Sequence, residues 1–252
     1  MITRLADRIS LLDQGLTIGD ATSLNIFANR CVKIFSENGY RVAFSYLRSE
    51  ENAIALSKKY DALCFKADVS VSSEITDAIT EASAKLGKID VLIHNAGIAE
   101  SALFTDVTDE MWKRMLDTNL SGAFYASRAV LPNMISKKRG VILNVSSMWG
   151  QVGASCEVHY SAAKAGLIGL TKALAKEVGP SGIRVNCVSP GVIDTDMNAN
   201  LSDSDIEALK NETPLERIGN ATDIAEALLF LASDKASFIT GQDIGVNGGL
   251  II

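Results

Sequence analysis

Short apolar runs alternate with stretches of helical periodicity along most of the chain. From residue 39 onward, six runs carry apolar residues that would face both sides of a sheet, as in parallel strands covered by helices on each face. These runs are RVAFSY (41–46), ALCFKA (62–67), DVLIHNAG (90–97), GVILNVSS (140–147), IRVNCVSPG (183–191) and DIGVNGG (243–249). A weaker run, GLTIG (15–19), precedes them and is predicted to be the first strand.

The segments between these runs have apolar residues three or four positions apart, which predicts helices. They lie at 49–60, 72–87, 108–138, 159–179 and 220–233. Thr108 and the pair Thr222-Asp223 can cap two of them. The alternation predicts an α/β fold, a Rossmann-type doubly wound parallel sheet with helices on both faces, in a single domain over residues 1–252. The polar segment 192–221 follows a strand end and is predicted to be an irregular lid over a ligand.

Composition narrows the class of protein. A hydrophobic fraction of 47% in 252 residues is enough for one sizeable core. The net charge of −6 argues against a nucleic-acid partner, and the basic run Lys137-Lys138-Arg139 is interpreted as a solvated helix end. We find no apolar run near the ~20 residues that span a bilayer. Asp7 and Asp13 interrupt the region where a signal peptide would be apolar, so a cytoplasmic protein without a membrane partner is expected.

The four cysteines are far apart and show no CxxC spacing. Such spacing favours reduced packing residues over a zinc site or a disulfide framework. No metal site is therefore predicted.

The strongest local signal is the stretch NVSSMWGQVGASCEVHYSAAKAG (144–166). Tyr160 and Lys164 are four residues apart on a predicted helix, so both side chains project from one face. A cation beside a phenol stabilises the phenolate, so Lys164 is expected to lower the pKa of Tyr160 and fit it for acid–base catalysis. Ser147 ends a strand, where its hydroxyl can donate a hydrogen bond to a substrate carbonyl.

Further motifs extend this signal along the chain. They are HNAG (94–97), DTNLSGAF (117–124), NVSS (144–147), YSAAK (160–164), RVNCVSPGVIDTDM (184–197) and FITGQDIGVNGG (238–249). In this order and spacing, the chain resembles the short-chain dehydrogenase/reductases over about residues 30–250. One mild departure is His94, which stands where that family often has an asparagine.

The resemblance implies roles for individual residues. Tyr160 would be the catalytic acid, Lys164 would assist it and hold the nicotinamide ribose, Ser147 would polarise the carbonyl and Asn119 would complete the proton relay. The residues expected to bind the cofactor are Arg48, Asp68, Val69, Asn95, Ala96, Gly97, Tyr160, Lys164, Pro190, Gly191, Ile193 and Thr195. The resemblance also implies a homo-oligomer, a tetramer.

The end of the second strand bears on the choice of cofactor. An enzyme that prefers NAD(H) has a carboxylate there for the ribose 2′-hydroxyl, whereas one that prefers NADP(H) offers a cation to the 2′-phosphate. Tyr46 occupies the position of the acid and Arg48 follows it. NADP(H) is therefore expected over NAD(H), although Arg48 can also be read as an ordinary loop arginine.

Two ketone substrates are compatible with the resemblance. The first is a 3-oxoacyl group on acyl carrier protein, as in fatty-acid synthesis; Lys138 and Arg139 could meet an acidic carrier, but the family's other position for a cation holds Pro180-Ser181. The second is the 5-aminopentanone group on a lysine of elongation factor P. For that substrate, Trp149 and Glu157 would line the pocket and favour its ammonium group.

The segment GDATSLNIFANR (19–30) departs from the family. Spacing from Gly39 places the three glycines of the family's phosphate-binding loop at Thr22, Ile26 and Ala28. A second alignment makes the segment from Gly19 to Ser23 the turn of a longer loop. Because residues 1–29 match the family poorly while the rest matches closely, they are either a divergent N-terminal segment or the product of an altered reading frame. A non-catalytic family member that has lost cofactor binding is the remaining alternative.

Overall fold

The computed structural model describes residues 8–12, 26–194 and 202–252, with the backbone alone for 8–12 and residue 203. The sequence expectations that fall outside these residues include the run GLTIG (15–19), the turn from Gly19 to Ser23 with Thr22, and Thr195.

Seven of the described strands form one parallel sheet. The nine strands in the described part of the chain are β1 (Arg8–Leu12), β2 (Arg41–Tyr46), β3 (Leu63–Lys66), β4 (Val91–His94), β5 (Gly140–Val145), β6 (Ile183–Pro190), β7 (Ile193–Asp194), β8 (Gly219–Asn220) and β9 (Asp243–Val246). The sheet has the order β3-β2-β1-β4-β5-β6-β9, and β7 pairs with β8. This order confirms the predicted Rossmann-type α/β fold.

Helices cover both faces of the sheet. They are α1 (Ile26–Glu37), α2 (Glu50–Tyr60), α3 (Ser72–Leu86), α4 (Asp109–Leu116), α5 (Gly122–Lys137), α6 (Met148–Val152), α7 (Val158–Val178), α8 (Asp203–Glu212) and α9 (Ala221–Ala232). One core cluster joins β2, β4 and β5 to α1 and α9, for example through Phe35, Phe44 and Leu228. A second cluster joins the opposite face to α3, α5 and α7. The strands are apolar on both sides because each face is buried under helices.

The first strand of the sheet differs from the prediction. Arg8–Leu12 pairs with β2 on one side and with β4 on the other, so this segment, and not GLTIG, is the first strand. The prediction placed the first strand directly before the segment 19–30, where the family has its phosphate-binding loop. In this chain thirteen residues, 13–25, separate β1 from α1.

Two predicted segments contain structure that the sequence pattern did not show. The segment predicted as an irregular lid contains α8, which begins with a capping box in which Ser202 and Asp205 exchange hydrogen bonds. The predicted helix 108–138 is divided into α4 and α5 by a π-helical turn at Asp117–Ser121. No helix in the described parts of the chain is long and apolar enough to cross a membrane.

The cap of α9 lies two residues before the predicted one. Asn220 accepts hydrogen bonds from the backbone N–H groups of Thr222 (2.8 Å) and Asp223 (3.3 Å). We expect Asn220→Ala to lower the free energy of unfolding by about 1 kcal/mol, because the first turn of α9 loses its side-chain acceptor. Urea unfolding of the two proteins measures the difference. Asn220→Ser, which keeps an acceptor, should retain most of the stability, and an equal loss in both variants would contradict this role.

Candidate active site

Three residues predicted to act together converge at the carboxyl end of β5. Ser147 follows β5 and caps α6, where its Oγ accepts a hydrogen bond from the backbone N–H of Trp149 (3.1 Å). Tyr160 and Lys164 lie on α7, and the Tyr160 phenol lies near enough to the Ser147 side chain for that hydroxyl to lower its pKa. All three are buried, with exposures of 8%, 7% and 3% for Ser147, Tyr160 and Lys164. The i, i+4 spacing therefore places the phenol and the ammonium on one face, as predicted.

The ammonium of Lys164 is fixed by the strand beside it. Its Nζ donates a hydrogen bond to the carbonyl oxygen of Val145, the last residue of β5, at 2.9 Å. A Cβ added at Gly97 would lie 3.2 Å from the same Nζ and 2.7 Å from Asn119 Oδ1. The glycine thus lets the chain after β4 pass directly beside Lys164.

Asn119 lies within the π-helical turn and is fully buried. Its side chain exchanges hydrogen bonds with the backbone of Ile98, at 3.1 Å to the N–H and 2.9 Å to the carbonyl oxygen. It also donates to the carbonyl oxygen of Met115 at 3.1 Å. This residue consequently holds the loop after β4 against the helix that starts at Asp109.

Burial dominates the acid–base properties of the pair. The pKa of Tyr160 is raised to about 12, mainly by burial. The Ser147 side chain opposes this rise, and the nearby Glu157 adds to it. Burial also lowers the pKa of Lys164 to about 8. The expected lowering of the Tyr160 pKa is outweighed because both groups are withdrawn from water and the Lys164 Nζ lies 5.7 Å from the centre of the phenol ring.

His94 is a neutral neighbour of this pair. Its imidazole is fully buried, and neither ring nitrogen has a hydrogen-bond partner among the described residues. Burial, with a smaller contribution from Lys164, lowers the pKa of His94 to about 3. An imidazole in this state cannot exchange protons near neutral pH, so His94 does not supply the catalytic acid.

Two further groups of residues expected to bind the cofactor follow β4, on the adenine-ribose side, and β6, on the nicotinamide side. Asn95, Ala96 and Gly97 continue β4, and the Asn95 Nδ2 is buried without a partner among the described residues. Pro190 and Gly191 end β6, and Ile193 follows them as a buried residue. A Cβ at Gly191 would lie 2.7 Å from the Cα of Asn247, so this segment packs tightly against the chain after β9. A glycine beside Lys164 and an unused donor on Asn95 fit a dinucleotide cofactor that approaches the backbone closely.

The adenine side is built by β2 and β3. Tyr46 is a buried residue at the end of β2, and Arg48 is exposed two residues later. Asp68 accepts hydrogen bonds from the backbone N–H (2.8 Å) and hydroxyl (2.6 Å) of Ser70, and Val69 is fully buried. Asp68 and Arg48 therefore lie after neighbouring strands at the same edge of the sheet.

Two of the three positions where family spacing places a glycine are described. Ile26 is the first residue of α1 and is 41% exposed, whereas Ala28 is buried in the core cluster that contains α9. On the first alignment, the second and third family glycines thus fall in the first turn of α1. A glycine at Ala28 would remove core contacts and weaken the helix.

The substrate side is formed by α6 and the loop that follows it. Trp149 packs in a small cluster with Ile98, Met115 and Tyr160. The half-buried Glu157 accepts a long hydrogen bond, 3.4 Å, from the Ser101 hydroxyl, and burial raises the pKa of its carboxyl. Both residues lie near Tyr160, as expected for a substrate pocket.

Two residues of the loop after β4 that contact the substrate side had no signal in the sequence. Ser101 meets Glu157 across 56 residues, and the Ala102 N–H donates to the carbonyl oxygen of Cys156 at 2.8 Å. These contacts form only where the segment after β4 meets the segment between α6 and α7 in the folded chain. The described residues contain no cluster of metal-ligating side chains.

Comparison with known proteins defines the class. The family model described as "Enoyl-(Acyl carrier protein) reductase" matches residues 23–251. The chain therefore belongs to the short-chain dehydrogenase/reductase family, and it is an oxidoreductase that uses a nicotinamide cofactor and acts on carbonyl or hydroxyl groups.

Individual relatives carry more specific names. The chain is 42% identical to "3-oxoacyl-[acyl-carrier-protein] reductase FabG" of Staphylococcus aureus (strain Mu50 / ATCC 700699) over 220 residues, 85% of this chain and 89% of the relative. A protein of the same name from Thermotoga maritima is 38% identical over 255 residues, 99% of this chain and the full relative. The corresponding Chlamydia muridarum protein is 41% identical over 227 residues, 86% of this chain and 90% of the relative.

Burial of Lys164 makes the free energy of unfolding depend on pH in the alkaline range. The pKa of Lys164 is lowered to about 8 from the usual 10.5, so between these values the unfolded chain binds more protons than the folded protein and stability rises with pH. Relative to Lys164→Met, the wild type should gain on the order of 2 kcal/mol between pH 8 and pH 10. Urea unfolding at both pH values measures this.

Lys172→Met serves as the control, because Lys172 is an exposed lysine on the same helix. Its stability difference from the wild type should stay constant over this range. A constant difference for Lys164→Met as well would show that burial of the ammonium does not oppose protonation.

Proposed function

We propose that the protein is an NADPH-dependent reductase of 3-oxoacyl-type ketones, with Tyr160 as the proton donor. The observation that carries the proposal is the convergence of Ser147, Tyr160 and Lys164 at one strand end, with Asn119 bracing the loop beside them. The names of the relatives favour a 3-oxoacyl group carried on acyl carrier protein. A cytoplasmic protein is expected from the N-terminal composition, and a homotetramer from the family resemblance.

Each residue has a distinct task in this chemistry. Ser147 Oγ donates a hydrogen bond to the ketone oxygen and orients it toward Tyr160. The Tyr160 hydroxyl gives its proton to that oxygen as negative charge develops there. The cofactor, when bound, supplies the hydride. The Lys164 ammonium, whose Nζ lies 5.7 Å from the centre of the phenol ring, stabilises the phenolate left behind.

The residues available for the cofactor favour NADPH. Lys164 and Tyr160 would hold the nicotinamide ribose, Asn95 to Gly97 the adenine ribose, and Asp68 with Val69 the adenine. Pro190, Gly191, Ile193 and Thr195 would surround the carboxamide. Tyr46 provides no carboxylate for a ribose 2′-hydroxyl, and the exposed Arg48 can pair with a 2′-phosphate.

Tyr160→Phe separates catalysis from binding. The variant loses the transferable proton but keeps the ring, so we expect kcat for acetoacetyl-thioester reduction to fall by at least about 100-fold. The affinity for NADPH, measured by fluorescence titration, should stay within about threefold. Tyr125→Phe, which alters a tyrosine on α5, should leave both quantities unchanged.

Two outcomes would contradict this assignment. Retained turnover in Tyr160→Phe would exclude Tyr160 as the proton donor. Failure of the wild type to bind NADPH at millimolar concentration would favour the non-catalytic alternative, in which residues 19–30 no longer hold a pyrophosphate.

A second candidate substrate is favoured by the charges around the site. Lys138 and Arg139 precede β5, whereas Ser147 follows it, so these cations lie at the opposite edge of the sheet from the site. Pro180-Ser181 precedes β6 at that same distant edge. Within one protomer, neither position offers a cation to an acidic carrier at the active site.

The segments at the carboxyl edge are acidic instead. Residues 100–117 and 202–217 contain ten acidic and four basic side chains. All four basic residues form ion pairs, Lys113 with Asp117, Arg114 with Glu100, Lys210 with Glu207 and Arg217 with Asp223. With the half-buried Glu157, this surplus favours a cationic ketone such as the 5-aminopentanone group on elongation factor P.

Glu157→Gln distinguishes the two substrates. If an ammonium group meets the carboxylate, kcat/KM for the aminopentanone-modified elongation factor should fall by about 10-fold or more, because a half-buried charge pair is lost. The value for acetoacetyl thioesters should change by less than about twofold. Glu212→Gln, at an exposed position on α8, is the control. Reduction of the thioester alone by the wild type would rule out the cationic substrate.

A further inference from the structure

Helix α6 is packed closely against the catalytic helix. A Cβ added at Gly150 would lie 2.9 Å from the carbonyl carbon of Lys164 and 2.8 Å from Ser146 Oγ. The Ser146 hydroxyl itself donates to the carbonyl oxygen of Lys164 at 2.9 Å. The side of α6 that faces α7 is therefore fixed by close packing.

A carboxylate holds the same helix from the other direction. Asp243, the first residue of β9, accepts a hydrogen bond from the Gln151 side chain of α6 through Oδ2, at 2.9 Å. Through Oδ1 it accepts a hydrogen bond from the hydroxyl of the fully buried Ser189, at 2.6 Å. Asp243 therefore joins α6 to the end of β6.

The two partners of Asp243 belong to the two halves of the active site. Ser189 immediately precedes Pro190 and Gly191, the segment assigned above to the nicotinamide carboxamide. Gln151 shares its short helix with Trp149 and with Ser147, the residue that caps it. One carboxylate thus connects the cofactor side of the site to the substrate side.

We propose that Asp243 is a positioning residue, which keeps α6 in a fixed place relative to the Ser189–Gly191 segment and so aligns Ser147 with the ketone. Charge-assisted hydrogen bonds suit this purpose, because each fixes a direction as well as a distance. A displacement of Ser147 by about 1 Å is enough to weaken its contact with the reacting oxygen. In kinetic terms the inference rests on the proposed function, but its structural part does not.

The structural part can be measured without cofactor or substrate. In a Trp112→Phe background, Trp149 is the one remaining tryptophan and reports on α6. We expect Gln151→Leu and Asp243→Asn to increase the acrylamide quenching constant of Trp149 by about half or more, because α6 is released on one side. Gln242→Leu, which changes the exposed neighbour of Asp243, should leave the quenching constant unchanged.

The kinetic part of the proposal predicts that kcat/KM changes while the affinity for NADPH and the stability do not. With acetoacetyl-CoA as the probe, Gln151→Leu should lower kcat/KM about threefold to tenfold while the Kd for NADPH and the Tm stay near the wild-type values. A merely structural role would instead lower the Tm and weaken NADPH binding together. In a Ser189→Ala background the effect of Gln151→Leu should shrink, because Asp243 has then lost the partner that fixes it.

The outcomes separate the two proposals. Wild-type quenching of Trp149 in both Gln151→Leu and Asp243→Asn would overturn the positioning role. Increased quenching in a protein that reduces no thioester would support the tether and count against the proposed substrate. Fully additive effects of Gln151→Leu and Ser189→Ala on kcat/KM would also contradict the coupling through Asp243.

Discussion

A buried ammonium group organises the carboxyl edge of this sheet. Removing the charge of Lys164 from water is unfavourable by several kcal/mol unless polar groups receive it. The carbonyl oxygen of Val145 does so from the end of β5, and the lack of a side chain at Gly97 lets the next loop approach as well. The position of the lysine in turn fixes α7, and with it the phenol one helical turn away.

The same constraint extends outward through close packing. Gly150 brings α6 onto the backbone of Lys164, and α6 carries Ser147 at its first turn. Asn119 fastens the loop after β4 from the opposite side. The arrangement of the candidate site therefore follows from where one charge can be buried, and the surrounding loops are shaped to accommodate it.

Much of this could be predicted because the relevant signals are local. Apolar runs locate β2 to β6 and β9, and the i, i+4 spacing locates Tyr160 and Lys164 on one face of α7. The first strand was placed too close to α1, because the number of residues between a strand and the next helix has no local signal in the sequence. The π-helical turn, Ser101 beside Glu157 and the bridge from Asp243 depend on contacts between distant segments, and no periodicity encodes them. The direction of the Tyr160 pKa was also missed, because burial is a property of the folded chain.

The sheet order gives the N-terminal strand an unusual importance. In the seven-stranded sheet, β1 alone pairs with both β2 and β4. It therefore joins the part of the sheet that carries Arg48 and Asp68 to the part that carries the candidate residues Ser147, Tyr160 and Lys164. The region that resembles the family least thus joins the two parts of the sheet that carry the candidate site. Variation in β1 therefore changes how residues at the end of β2 are placed relative to residues at the ends of β4 and β5, even where no side chain of the site is altered.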